Sequence, residues 1–207
     1  GRFVLGLGSQ IRAHIERRFG MEWSRPAARM RELVQAIRAI WACWHDGVKL
    51  DFRGEFFTHT LMTPFFDPGP HPHGLPRIFV AGVGPKMTEV AGEVADGYFV
   101  HPFHTRDFLA TTTLPALERG FARGGRTRDR FEVSCQVIVA AGEDDATLER
   151  AIAGAKSQIS FYASTPAYRP VLESLGRGAL QEELNALSKR GAWAEMAGRL
   201  DDALLGE

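Results

Sequence analysis

Short apolar runs alternate with stretches of helical periodicity along this chain. The first run, Arg2 to Leu7, is polar on neither face and ends at Gly8-Ser9, which predicts a strand covered on both sides. A polar segment carrying His14 follows. Pro26 then opens a helix with Ser24 as candidate N-cap, and Met30, Leu33, Val34, Ile37, Trp41 and Trp44 recur at helical spacing up to Gly47. Leu50 to Thr58 reads as a small extended excursion around Gly54, and Thr63 to Pro76, dense in Pro, Gly and His, as a loop. Arg77 to Ala81 is a second strand. A helix with Met87, Val90, Ala91 and Val94 on its core face follows, then a third strand from Tyr98 to His101. Thr105 caps a helix carrying Phe108, Leu109, Leu117 and Phe121, which Pro115 should kink and Gly124-Gly125 stop. Phe131 to Ala140 shows the best period-two alternation and predicts a fourth strand. Helices fill the rest: Ala146 to Ala163, Pro166 to Leu175, and two more to Leu205.

Strand and helix thus alternate, which predicts an α/β fold with about four parallel strands, outer helices and a helical C-terminal tail. Four such units fit either half of an eight-stranded (β/α)8 TIM barrel or a small doubly wound sheet, and periodicity does not separate the two. The length suits one domain over residues 1–207. Lys and Arg total 25, as do Asp and Glu, so the formal charge of +0 argues against nucleic acid or an anionic membrane as partner. No apolar stretch approaches the roughly 20 residues of a membrane span. The two cysteines, Cys43 and Cys135, form no CxxC pair; we expect buried free thiols in a reducing, cytoplasmic setting and no metal site. The chain opens on glycine and runs at once into a strand, which reads as a truncated start.

In parallel α/β folds ligands meet the carboxyl ends of strands. At one such end stands Gly82-Val83-Gly84-Pro85-Lys86-Met87. Its glycines let the backbone approach a ligand, its helix start offers free N–H groups for a phosphate, and Lys86 adds a cation. It is neither a Walker A loop nor GxGxxG, and a plain tight turn into a helix fits the spacing as well. His101 and His104 flank another strand end, where imidazole could relay a proton or only meet water. His14 reads as a surface helix residue, His71 and His73 as solvated loop residues, and the Trp41/Trp44 stripe as core.

Several motifs coincide with one family. Gly1 to Ser9, His14-Ile15-Glu16-Arg17, Phe52-Arg53-Gly54-Glu55-Phe56-Phe57, and Pro76 to Gly82 followed by Ala91-Gly92-Glu93-Val94-Ala95-Asp96-Gly97 resemble bacterial luciferase-like flavin oxidoreductases, nearest the F420-dependent branch. The resemblance implies a (β/α)8 barrel lacking its N-terminal strands and its last strand. It implies an oxidoreductase passing a hydride between coenzyme F420 and a small organic substrate, with an FMN-dependent monooxygenase or a non-catalytic phosphate-binding fragment as alternatives. Carried over by position, Ser9, Gln10 and His14 lie along the deazaflavin, and Val83, Gly84, Lys86 and Met87 hold the cofactor phosphate. His101 and His104 then face the substrate as candidate catalytic residues. A homodimer is a family expectation.

Overall fold

The computed structural model describes residues 3–206, so Gly1 and Arg2, which open the first quoted motif, lie outside it. The elements run β1 (Val4–Gly8), α1 (Arg12–Arg17), α2 (Pro26–Asp46), β2 (Phe52–Arg53), β3 (Thr58–His59), β4 (Arg77–Gly82), α3 (Pro85–Val94), β5 (Gly97–Val100), α4 (Arg106–Phe108), α5 (Leu114–Gly124), β6 (Glu132–Cys135), α6 (Asp145–Ala163), α7 (Arg169–Ser174), α8 (Gly178–Lys189), α9 (Trp193–Ala197) and α10 (Asp202–Leu205). The main sheet is parallel with order β1-β4-β5-β6, and β2 pairs with β3 in a separate antiparallel ribbon. Chain order and spatial order of the main strands agree. A doubly wound sheet would reverse direction at a switch point; an unreversed order is that of a barrel wall.

Contacts divide the chain into two compact units. The first comprises residues 1–99 and 115–134. Ile78, Phe79 and Val80 of β4 are buried, as are Met30, Val34 and Ala36 of α2 and Met87, Val90 and Ala91 of α3. Helix α2 starts where Arg25 adopts φ 37, a left-handed residue before Pro26. The residue before a proline is sterically pushed out of the right-handed helical region. Ser24 is therefore not the N-cap; its Oγ instead accepts from Arg29 at 2.9 Å. Gly47 ends the helix at φ 66, where only glycine is unstrained. The β2–β3 ribbon is anchored to α2 by Glu32, whose carboxylate accepts the amides of Glu55, Phe56 and Phe57 at 3.0, 2.7 and 2.7 Å. A side chain at Gly54 would collide with that carboxylate, which explains the glycine in this motif.

The second unit comprises residues 100–114 and 135–207. Its core is Phe103, Phe108, Ala163, Val171, Leu172, Leu184, Leu187, Met196, Leu200 and Leu204. Thr105 caps α4 by accepting from the Phe108 amide. Between α4 and α5 the chain widens into a π turn over Leu109–Thr113, just ahead of Pro115. The wider turn absorbs the clash and the missing N–H that proline brings to a helix. Asp144 and Thr147 form a reciprocal capping box at the start of α6.

Four further expectations need correction. β1 is not covered on both sides: Val4, Gly6 and Gly8 are exposed, and only Leu5 and Leu7 are half-buried. β6 stops at Cys135 rather than Ala140, and Val137 and Val139 are 73% and 76% exposed. Cys135 is exposed, not buried, although Cys43 is buried as expected. Three helices, not two, follow Leu175 among the described residues, because Gly191 and Gly198 break the last stretch. No helix among the described residues is long and apolar enough to cross a membrane.

Candidate functional site

In the first unit, parallel pairing puts Gly8 opposite Ala81. The residues that follow each strand, Ser9-Gln10 and Gly82-Val83-Gly84, therefore emerge side by side on the carboxyl rim. Gln10 takes φ 59, a left-handed conformation that costs a non-glycine residue on the order of 1 kcal/mol. Its carbonyl accepts from Ser9 Oγ at 3.2 Å, and its Oε1 lies 3.1 Å from His14 Nδ1. Ser9 and Gln10 form an exposed or half-exposed turn leading into α1, and His14 is exposed within that helix.

Beside it, the glycine turn is fixed from below. Tyr98, 1% exposed in β5, donates its hydroxyl proton to the Gly82 carbonyl and sits 3.0 Å from Thr88 Oγ1. Burial pushes the Tyr98 phenol up to about 12, so it stays a donor. In a planar trans peptide the next N–H points opposite to the carbonyl. With Gly82 C=O drawn inward, Val83 N–H is turned outward to the rim. The Gly84 carbonyl accepts from the amides of Met87 and Thr88, both at 3.1 Å, which starts α3. Among the described residues no backbone acceptor meets the amides of Val83, Gly84 or Lys86. A Cβ on Gly84 would meet nothing within 4 Å, so the turn opens on free space. Lys86 is exposed and has no carboxylate partner among the described residues. Met87 is buried. Its amide is engaged within the turn, and its side chain is 8% exposed and fills the space a Cβ on Gly82 would need.

His101 and His104 belong to the second unit, directly after the carboxyl end of β5. His101 Nδ1 accepts the Phe103 amide at 3.1 Å, and Nε2 lies 3.1 Å from Tyr168 Oη. Its ring stacks on Tyr168 at 4.5 Å between centroids and meets Tyr162 edge-on at 4.7 Å. Burial, with a smaller contribution from His104, lowers the His101 pKa from 6.5 to about 4. Burial and the neighbouring Tyr162 push the Tyr168 phenol up. His104 Nδ1 donates to the His101 carbonyl at 2.8 Å.

The depressed His101 pKa predicts acid sensitivity. Above pH 6.5 the imidazole is neutral in both folded and unfolded chains; below it the unfolded chain binds a proton that the folded chain refuses until about pH 4. Stability is thus full above the unfolded value and falls as pH drops through this window, by about 1–2 kcal/mol after solvent screening. Urea midpoints measured across the window should show the slope in the native chain and a flatter one in His101→Gln.

The expected residues thus gather as two groups: Ser9, Gln10, His14, Val83, Gly84 and Lys86 on one rim of the first unit, and His101 with His104 in the second. Sequence reasoning missed Tyr98, Thr88 and Tyr168. A tyrosine in an otherwise apolar strand could have flagged Tyr98; nothing local marks Tyr168. An open depression of about 630 Å³ lies elsewhere in the first unit, lined by Cys43, Leu50, Met62 and Pro64 among others, and includes none of these residues.

Comparison with known proteins agrees with this architecture. The family model described as luciferase-like monooxygenase matches residues 1–207. The chain is 57% identical over 206 residues to the uncharacterized protein Rv1360 of Mycobacterium tuberculosis, covering 100% of this chain and 61% of that protein. It is 31% identical over 151 residues to an F420-dependent glucose-6-phosphate dehydrogenase of Microbacterium testaceum, covering 72% of this chain and 43% of that one. The coenzyme F420-dependent tetrahydromethanopterin reductase from Methanopyrus kandleri superposes with a TM-score of 0.74 at 21% identity, over 99% of this chain and 60% of that one. At that identity the likeness is one of fold. The chain therefore spans about three fifths of the length of relatives it matches along its whole length. With an unreversed parallel sheet and a family match over every residue, this chain belongs to the luciferase-like monooxygenase family.

Proposed function

We propose that the protein is an oxidoreductase that moves a hydride between coenzyme F420 and a small organic substrate. The observation that carries this reading is the shared rim: register between β1 and β4 sets Ser9-Gln10 beside a glycine turn with three amides that meet no backbone acceptor among the described residues. F420 carries an anionic phosphate tail and a flat deazaflavin ring. The turn fits the tail, because outward N–H groups, the positive end of α3 and Lys86 all favour an anion, and Gly84 leaves room for it. Ser9, Gln10 and His14 would line the ring. Met87 supports the turn by packing rather than by its amide. When bound, the cofactor supplies the hydride-carrying ring, and the protein orients it and excludes water. His101 and His104 would face the substrate. Names of similar proteins support F420 over FMN, since a glucose-6-phosphate dehydrogenase and a reductase among them are called F420-dependent. A free thiol at Cys43 suits a reducing, cytoplasmic setting.

A titration of the full-length protein with F420 and with FMN, followed by absorbance, tests the proposal. Saturable binding of F420 and none of FMN is expected. Lys86→Glu, which reverses the only charge in the turn, should weaken F420 binding about tenfold or more. Failure of both cofactors to bind removes the reading; preference for FMN replaces hydride transfer by monooxygenase chemistry.

A further inference from the structure

The hydrogen bonds of the histidine pair determine where its protons sit. A backbone amide can only donate, so His101 Nδ1, which receives the Phe103 amide at 3.1 Å, carries no proton. A neutral imidazole must then carry its proton on Nε2, and the contact of 3.1 Å to Tyr168 Oη runs from Nε2–H to the phenol oxygen. Protonating His101 would break the Phe103 bond and place a charge among Tyr162, Tyr168 and the apolar core. The His101 carbonyl is engaged as well, by His104 Nδ1 at 2.8 Å. A carbonyl only accepts, so neutral His104 holds its proton on Nδ1, and its Nε2 lone pair has no partner among the described residues. Tyr168 Oη accepts from His101, and its own proton has no acceptor among the described residues. Tyr162 does not compete for it, since its hydroxyl receives Gln158 Nε2 at 3.1 Å on α6.

We propose that the two histidines divide the work: His104 offers Nε2 to a substrate hydroxyl proton, while His101 is a positioning residue that aims the Tyr168 hydroxyl at a substrate oxygen. The proposal rests on the reading that this cluster faces the substrate. It adds Tyr168, 67 positions away in sequence, to the recognition set. It also removes His101 from proton transfer, because both of its ring nitrogens are held in fixed roles. The ligand chemistry it implies is a small molecule with a carbonyl or secondary alcohol, an oxygen that accepts from Tyr168 and whose O–H form donates to His104.

Long-range proton–nitrogen NMR of the full-length protein, with histidine labelled and signals assigned through His101→Gln and His104→Gln, tests this without any cofactor. The expected result is an Nε2–H tautomer at His101 and an Nδ1–H tautomer at His104. Tyr168→Phe keeps the stacked ring and removes the acceptor; the His101 Nε2–H should then exchange with water about tenfold faster or more, with the His104 tautomer unchanged. Cyclohexanone, added as a carbonyl probe, should shift the His101 Nε2–H signal in the native chain and not in Tyr168→Phe. A proton on His101 Nδ1, unchanged exchange in Tyr168→Phe, or no response of the native chain to cyclohexanone overturns the proposal. None of these readouts depends on F420 binding, so a failed cofactor titration and a failed tautomer assignment are separate results.

Discussion

Gly120→Val is expected to destabilise the protein by about 3 kcal/mol, since overpacking against rigid neighbours costs about 1–3 kcal/mol and here backbone lies on both sides. Helices α3 and α5 cross with main chain against main chain. A Cβ on Gly120 would fall inside the contact distance of the Glu89 carbonyl and lie 2.9 Å from Gly92 Cα. A Cβ on Gly92 would lie 2.5 Å from the Leu117 carbonyl. Neither obstacle is a side chain that can rotate away, so the helices must part. Separation would also strain the ion pairs that bridge the same faces, Arg119 and Arg123 to Glu89, at 2.8 and 3.3 Å. Those arginines hold the Glu89 carboxyl below its ordinary range. Thermal unfolding followed by circular dichroism should show the midpoint lowered by roughly 6–12 °C, given about 2–4 °C per kcal/mol for a chain of this size. An unchanged midpoint would mean that the helices can slide apart at no cost.

Legibility in the sequence followed how local each cause was. β4 and α3 were readable because a buried run, a Gly-Val-Gly-Pro turn and a helical stripe each act within a few residues of themselves. The same locality made the glycine turn a visible candidate for anion binding. β6 was overread for the opposite reason. Phe131, Val133, Cys135, Val137 and Val139 alternate well, but a strand exists only where a neighbour pairs with it, and β5 ends at Val100. Pairing length is a property of two segments, and periodicity reports on one. β1 was likewise read as covered on both faces from its composition, although composition does not tell an edge strand from an interior one. The choice between a barrel wall and a doubly wound sheet was also out of reach, because strand order is set by crossovers rather than by any single run. At the site, the outward aim of Val83 N–H depends on Tyr98, and the partner of His101 Nε2 is Tyr168. Both are contacts across the fold with no local mark. The left-handed Gln10 is equally silent, since neither glycine nor asparagine announces it.

Asp96→Ala should cost a comparable amount, about 3 kcal/mol, because it strands a backbone amide and two guanidinium groups at once. Asp96 sits just after α3, at the amino end of the sheet. Its Oδ2 accepts the Ile78 amide at 2.8 Å, and its Oδ1 accepts Arg38 at 2.9 Å. Its own amide donates to the Ile78 carbonyl at 2.7 Å, so the side chain completes a closed pairing at the first turn of β4. Arg126 stands 3.8 Å from the same carboxylate while its guanidinium caps the last carbonyls of α3, including that of Ala95. Burial lowers the Arg126 pKa, Asp96 counters that effect, and Arg38 adds to it. Without the carboxylate, two half-buried cations would face each other with nothing between them. Asp96→Asn separates the contributions. It keeps an oxygen for the Ile78 amide but sets an NH2 donor against Arg38 where Oδ1 accepted, so it loses both the charge and that acceptor and should cost about 1 kcal/mol less than Asp96→Ala, the worth of the amide bond it keeps. Urea unfolding of the three proteins gives the ranking native, Asn, Ala. Asp96 lies at the opposite end of β4 from Gly82, so F420 affinity measured on the folded fraction should stay within about twofold of native in both variants. A large loss of affinity at unchanged stability would place the cofactor at the amino end of the strands and remove the glycine turn from the site.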